Sequence, residues 1–363
     1  MLFFNLSAFY FFYFAATGIY VIFLPKVLND IGYSYFDIGV VLAVAPLMRF
    51  LVPFLFLKHI KLDSSMFTKS LFIAILGATL FYLTINNFYL FLVNNAILAA
   101  ALSLILPYLE ITAISILGKE KYGKSRLFGS IGFMVIALVL AKLLTNSFVA
   151  IHFYLAVIIL TVIFSLLLLK YDKKNDVINS SNESLNFFKY LPFWLALFFM
   201  QLSFGSFYNF FTIYETDNGI SLEITSYLWS FGVVCEILML YFQAPILKNN
   251  LLNIIKFCLA ITSFRWFLLF LFPNSLEIAF LTQSIHAFSF GLFHSAVVIY
   301  LYSIYENKKL AQQFMYGVAY GLGGFLGALI AGKTYGESLF LYSAIFAFIA
   351  FLSLFFMKKK ILN

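Results

Sequence analysis

YDKKNDVINSSNESLNFFK, residues 171–189, is the one sustained polar run in a chain of 363 residues. The sequence on either side is oily. Over the whole chain 63% of side chains are hydrophobic, 21% aromatic and only 10% charged, with a mean hydropathy of +0.99. Water would not hold a globule of that composition, which excludes a soluble fold. At about 20 apolar residues per bilayer crossing, twelve crossings would use roughly 240 residues. The remainder suits short loops and this linker, and leaves no room for a separate soluble catalytic domain. These proportions predict an all-α membrane protein of twelve transmembrane helices. They are expected as an N-terminal six-helix bundle over residues 1–169, a cytoplasmic linker over 170–189 and a C-terminal six-helix bundle over 190–363.

Apolar runs read against turn and charge punctuation place the spans at 3–24, 35–57, 70–83, 88–117, 127–144 and 148–169. A second set follows at 190–214, 221–247, 251–271, 276–305, 311–332 and 339–357. The first run lacks a basic leader and a small-residue cleavage site, so it is expected to be a spanning helix. The net charge of +8 falls in short clusters between apolar runs with no basic face, a topogenic pattern and not a nucleic-acid surface. With both termini cytoplasmic, eighteen of the basic residues lie on the inner side and only Lys26 and Lys333 outside. The outer loops are then expected to carry Asp30, Asp37, Glu215, Asp217, Glu223, Glu277 and Glu337. That distribution specifies a cytoplasmic (inner) membrane protein. Cys235 and Cys258 lie within apolar segments without metal-ligand spacing and read as core residues.

Three basic residues remain inside spans: Arg49, Lys142 and Arg265. An ionised side chain at mid-bilayer costs several kcal/mol, so it needs a partner or a water-filled cavity. Arg49 lies on a stripe of small and kinking residues with Gly39, Pro46 and Pro53, and Glu236 on a stripe with Thr225, Trp229 and Gly232. Both stripes are expected to face a bundle interior. An offset of 187 maps Gly18 onto Gly205, Gly32 onto Gly219 and Arg49 onto Glu236, the sign of an internal repeat. In the tenth span Gln283, Phe290 and His294 fall within about 40° on an ideal helix, with His286 about 60° to the side. An imidazole near a buried carboxylate and an arginine is the chemistry a proton relay needs. Arg265 supplies a second fixed cation. Glu110 and Arg126 are expected to pair at the cytoplasmic end of the first bundle, and Tyr13 to line a cavity with Trp229. Structural alternatives stand beside these readings: an ion pair holding bundles together for Arg49 and Glu236, and interhelical hydrogen bonding for the two histidines. Gly317, Gly321, Gly324 and Ala328 in the eleventh span, and Gly129, Ser130 and Gly132 in the fifth, read as smooth faces for close helix contact.

Several stretches together resemble the major facilitator superfamily, in the branch of the phenylpropionate permease and near the oligosaccharide/proton symporters. They are YFFYFAATGIYVIFLPKVLNDIGYSYFDIGVVLAVAPLMRFLVP, YGKSRLFGSIGF, LWSFGVVCEILM, QSIHAFSFGLFHSA and YGLGGFLGALIAG. The resemblance implies two six-helix bundles, a central cavity opening alternately to each side, and uptake driven by a proton gradient with no bound cofactor or metal. It favours Arg49, Arg126, Glu236, Gln283, His286 and His294 as family positions. The superfamily's loop after the second span is here HIKLDSSMFTK, in which Asp63 is the remnant expected on the cytoplasmic gate with Glu110 and Arg126.

The function expected is proton symport of a small organic solute such as an aromatic acid or sugar. Glu236, His294 and His286 would carry the proton; Arg49, Arg265, Gln283, Trp229 and Tyr13 would meet the solute or pair its charge. The partners are that solute and the lipid bilayer, with no nucleic acid, and the protein is expected to be a monomer. Proton-driven export is the alternative from the same residues, and a non-transporting scaffold or sensor a more distant one. An enzyme is not expected, because the four histidines show no metal-type spacing and no nucleophile stands beside a base.

Overall fold

Asp, Asn and Ser residues open the helices. Asp63 accepts the backbone N–H of Met66, Asn87 that of Leu90, Asn146 those of Phe148 and Val149, Ser221 that of Ile224 and Asn250 that of Asn253. Each such cap is worth about 1 kcal/mol and ends the oily run on a polar residue at the membrane surface. The computed structural model describes residues 1–58, 63–171 and 187–357. Among them twelve helices are long and apolar enough to span a bilayer. These are α1 (Leu2–Asp30), α2 (Tyr35–Lys58), α3 (Ser64–Thr84), α4 (Phe88–Glu110), α5 (Lys124–Leu143) and α6 (Ser147–Leu169). The second half supplies α7 (Phe188–Asp217), α8 (Leu222–Phe242), α9 (Leu251–Leu271), α10 (Leu276–Ile304), α11 (Leu310–Lys333) and α12 (Leu339–Phe356). No strand occurs among the described residues, as expected where every backbone group must be satisfied within its own segment.

Several boundaries differ from those read in the sequence, among them the end of α1 at Asp30 and of α8 at Phe242. Helix α3 begins at Ser64 and not at residue 70, because the Asp63 carboxylate caps it through Met66 N at 2.8 Å. Helices α4 and α5 belong to one continuous helical run, Phe88–Leu143, where a break over 118–126 was expected. Sixteen residues of straight helix rise about 24 Å. Arg126 Nη1 stands 2.6 Å from Glu110 Oε1, closer than a straight helix would set them. Loop positions 59–62 and linker positions 172–186 lie outside the described residues.

The chain divides into two units, Met1–Asn179 and Ser180–Asn363. In the first, α1 packs against α6 and the Phe88–Leu143 run, and α3 against the same two partners. In the second, α7 packs against α12 and α11, and α9 against α12 and α10. The pattern is the same with six added to each helix number. Glycines make the closest crossings in both units. A Cβ on Gly132 would lie 2.0 Å from Phe11 O, and one on Gly205 would lie 2.3 Å from the Gly327 carbonyl carbon. On α11 the glycines in contact with α7 are Gly323 and Gly327, a step of four beside the one read from the sequence. A π-helical segment, Tyr316–Gly323, takes more residues per turn and shifts the face.

The repeat extends to the backbone of the first helix in each unit. Helix α1 ends on Gly32 at φ +95 and α7 on Gly219 at φ +87, a conformation that costs glycine least. Tyr33 N bonds Leu28 O and Gly32 N bonds Asn29 O; in α7 Ile220 N bonds Glu215 O and Gly219 N bonds Thr216 O. Both are Schellman caps, related by the offset of 187. Of the acidic residues expected in outer loops, only Glu337 lies in one; Asp30, Asp37, Asp217, Glu223 and Glu277 sit in the first or last turns of helices, and Glu215, in the last turn of α7, is fully buried.

A side chain at Gly205 has no space to occupy. Gly205→Leu is expected to lower stability by roughly 1–3 kcal/mol through overpacking, read as an earlier thermal unfolding midpoint of the purified protein in detergent. An unchanged midpoint would mean that the α7–α11 crossing is looser than described.

Candidate functional site

Arg265 sits in the middle of α9 with no exposure at all. A guanidinium taken out of water has five donors to satisfy, and the second unit supplies acceptors from α10. Nη1 donates to Ser289 Oγ at 3.0 Å and to His286 Nδ1 at 3.1 Å, and Nη2 donates to Gln283 Oε1 at 3.2 Å. Aromatic rings close the remaining sides: the guanidinium carbon lies 4.5 Å from the Phe207 ring centroid and 4.3 Å from that of Trp266. Such cation–π contacts offset part of the cost of burial. Arg265 Nε and Gln283 Nε2 find no acceptor among the described residues.

The arginine sets the state of the histidine. Because a guanidinium only donates, His286 Nδ1 can only accept, which makes the ring neutral with its proton on Nε2. That nitrogen faces Glu236 on α8, with Nε2 3.8 Å from Oε2, beyond a direct hydrogen bond. Glycines permit the approach of α8 and α10. A Cβ on Gly232 would lie 2.9 Å from Gln283 Oε1, and one on Gly291 3.4 Å from Glu236 Cγ.

His294 stands elsewhere on the helix. Its Nδ1 is 2.7 Å from the Tyr320 hydroxyl on α11, beside a small cavity lined by Gln201, Phe293, Met315 and Ala319. The expected common face of Gln283, Phe290 and His294 assumed an unbroken α-helix, and residues Ala287–Leu292 are π-helical. That segment rotates everything beyond it. A stack of rings still links the two histidines: His286 to Phe290 at 5.4 Å and Phe290 to His294 at 6.2 Å between centroids. Trp229 is buried with its Nε1 donating to Thr212 Oγ1 at 3.1 Å, and its ring lies 4.4 Å from Phe207. It supports the arginine's aromatic wall from behind.

In the first unit the pair Glu110–Arg126 forms, with Nη1 to Oε1 at 2.6 Å and both side chains partly exposed. Tyr13 donates to Leu102 O at 3.3 Å. Arg49 is exposed and lies within electrostatic reach of Tyr13 and Tyr20. Tyr20 in turn accepts from Asn95 at 3.0 Å. Asp63 serves its helix as the α3 cap described above. The structure thus brings Glu236, His286, Gln283 and Arg265 together and sets His294 apart. Sequence reasoning missed Ser289, Tyr320 and the arene cage of Phe207 and Trp266. Ser289 carried a signal, three residues after His286, whereas Tyr320 is reached only through the π segments.

Two repeated six-helix units are the architecture of the major facilitator type. The chain belongs to the MFS_1 like family, whose model matches residues 3–358. It is a multi-pass membrane transporter and not an enzyme. It is 28% identical over 337 residues to YwbF of Bacillus subtilis strain 168, an uncharacterized transporter, covering 88% of this chain and 82% of that protein. The fold is similar to that of the nucleoside transporter NupG, with a TM-score of 0.76 at 17% identity over 98% of this chain and all of that one. A single-residue variant of the E. coli fucose:proton symporter FucP shares it with a TM-score of 0.62 at 16% identity over 98% of each chain.

Ser289→Ala removes one acceptor from a fully buried guanidinium. The expected cost is about 1.5–3 kcal/mol, the range for hydrogen bonds to charged groups, measured by thermal unfolding in detergent. Melting that matches the unsubstituted protein would show that Ser289 does not hold Arg265.

Proposed function

We propose that the protein carries a small organic solute across the cytoplasmic membrane by proton symport, through alternating access, with Glu236 as the proton carrier of the Arg265 cluster. The single observation behind this reading is the chain Arg265–His286–Glu236. The arginine fixes a neutral imidazole whose N–H is turned toward a carboxylate, in the interior of a transporter. A proton on Glu236 removes the negative charge that faces the imidazole bonded to Arg265. Losing it restores an ionic contact through the ring. A two-state transporter biased by such a charge couples solute movement to the proton, because occluding an unbalanced charge is costly.

The remaining roles follow from chemistry. Arg265 Nε and Gln283 Nε2 are donors in need of acceptors, suited to a solute bearing carboxylate or hydroxyl oxygens once the site opens. Arg49 and Tyr13 offer a cation and a hydroxyl from the first unit. Glu110, Arg126 and Asp63 belong to the cytoplasmic side, and His294 to a relay through Phe290. The distribution of Lys and Arg supports termini in the cytoplasm. The protein is taken to act as a monomer that uses the proton gradient and no cofactor. NupG is a nucleoside transporter and FucP a fucose:proton symporter, and nucleosides and sugars join aromatic acids as first solutes to try.

The test uses purified protein in liposomes, offered labelled nucleosides, sugars and aromatic acids under an imposed inward proton gradient. At least one solute should accumulate above its outside concentration. Glu236→Gln should abolish that accumulation, a loss of tenfold or more in the steady-state ratio, while keeping solute exchange without a gradient. Accumulation undiminished in Glu236→Gln would remove Glu236 from coupling.

A further inference from the structure

We propose that Glu215 is a second proton-binding site, separate from the Arg265 cluster, at the end of α7 that meets the 218–221 turn. The argument starts from the cap. In a Schellman motif the residue three positions inside the helix end packs against the residue two positions past it, and that contact is usually apolar. The first unit follows the rule. Leu28 takes the inner position with no exposure and Tyr33 the outer one. In the second unit the same backbone bonds recur 187 residues on, with Ile220 buried in the outer position. The inner position, equivalent to Leu28, is Glu215.

A carboxyl therefore occupies a place built for leucine. Glu215 is fully buried, and neither of its side-chain oxygens has a hydrogen-bond partner among the described residues. It also lies in the last turn of a helix, where the partial negative charge of the carbonyl ends opposes an anion. Burying an ionised carboxylate without a partner costs far more than burying the neutral acid. The charged and titratable groups at this end of the unit are otherwise engaged or exposed. Tyr214 donates to Leu269 O on α9, and Asp217 accepts from Tyr335 in the turn after α11. On α8, Glu223 accepts from Tyr227. Lys333 of α11 and Glu337 beyond it are exposed, and α12 presents Leu339 and Phe340 in its first turn. No cation is bonded to Glu215 among the described residues.

The chemistry is a simple equilibrium: one proton joins one carboxylate oxygen of Glu215 to give the acid, and no other bond changes. The acid is the form that fits this closed packing. Opening of the helix end to water would allow the proton to leave. The site goes beyond the role given to Glu236 and does not depend on it.

Infrared difference spectroscopy on the full-length protein in liposomes tests the inference with the proton as its only ligand. The carbonyl stretch of protonated carboxyl groups is followed through a pH titration and after exchange into heavy water. The unsubstituted protein should show a protonated-carboxyl band persisting at neutral pH. That band should vanish in Glu215→Leu and in Glu215→Gln and survive in Glu236→Gln. Glu215→Leu should fold, since it installs the residue the first unit already uses, and Glu215→Gln keeps the shape. A band unchanged in both variants, or none in the unsubstituted protein, overturns the assignment. Since the measurement needs no transported solute, failure of proton-driven uptake and failure of this inference are read separately.

Discussion

A polar group with no access to water has to find its partners in protein, and this constraint organises the second unit around Arg265. The guanidinium is surrounded on its hydrogen-bonding edge by Ser289, His286 and Gln283 and on its flat faces by Phe207 and Trp266. Each of those neighbours is fixed in turn. Trp266 donates to Ser203, and Phe207 packs on Trp229, which donates to Thr212. One buried charge therefore recruits residues from α7, α8, α9 and α10. The cost of burying it is repaid only if every contact holds its geometry. That is how an oily bundle acquires a defined polar interior.

The two units share a backbone plan and differ in what they place on it. Both open their first helix onto glycine crossings, and both close it with the same cap around a left-handed glycine. The first unit keeps its inner cap position apolar and leaves Arg49 exposed; the second buries Glu215 at the equivalent place and supplies Glu236 where the offset puts Arg49. Duplicated architecture thus supplies positions, and the chemistry at each is then chosen independently.

Much of this was legible in the sequence, because the membrane makes polarity conspicuous. Glu236, Arg265, Gln283 and His286 stood out as ionic or amide groups in apolar runs, and the structure brings those four together. Pairing of Glu110 with Arg126 followed from their places near a turn. Phase was harder to read. A helical wheel assumes a constant number of residues per turn, and the π segments in α10 and α11 violate that assumption, so His294 stands apart from Gln283 and the Gly323–Gly327 step against α7 was not read. Ser289 was overlooked because a serine in a span more often bonds its own backbone, as this one also does with Ile285. Glu215 was misplaced for a related reason. Acidic residues near the end of an oily run ordinarily mark a loop, and only the cap geometry shows the backbone still helical there.

The π segment at Ala287–Leu292 gives α10 two fronts. Its first half presents Gln283 and His286 to the arginine of α9; its second half, which also packs on α9, presents His294 to Tyr320 of α11. A regular helix would show both sets to one neighbour. One inserted residue lets a single rod serve as a wall for two different rooms, joined by the Phe290 ring.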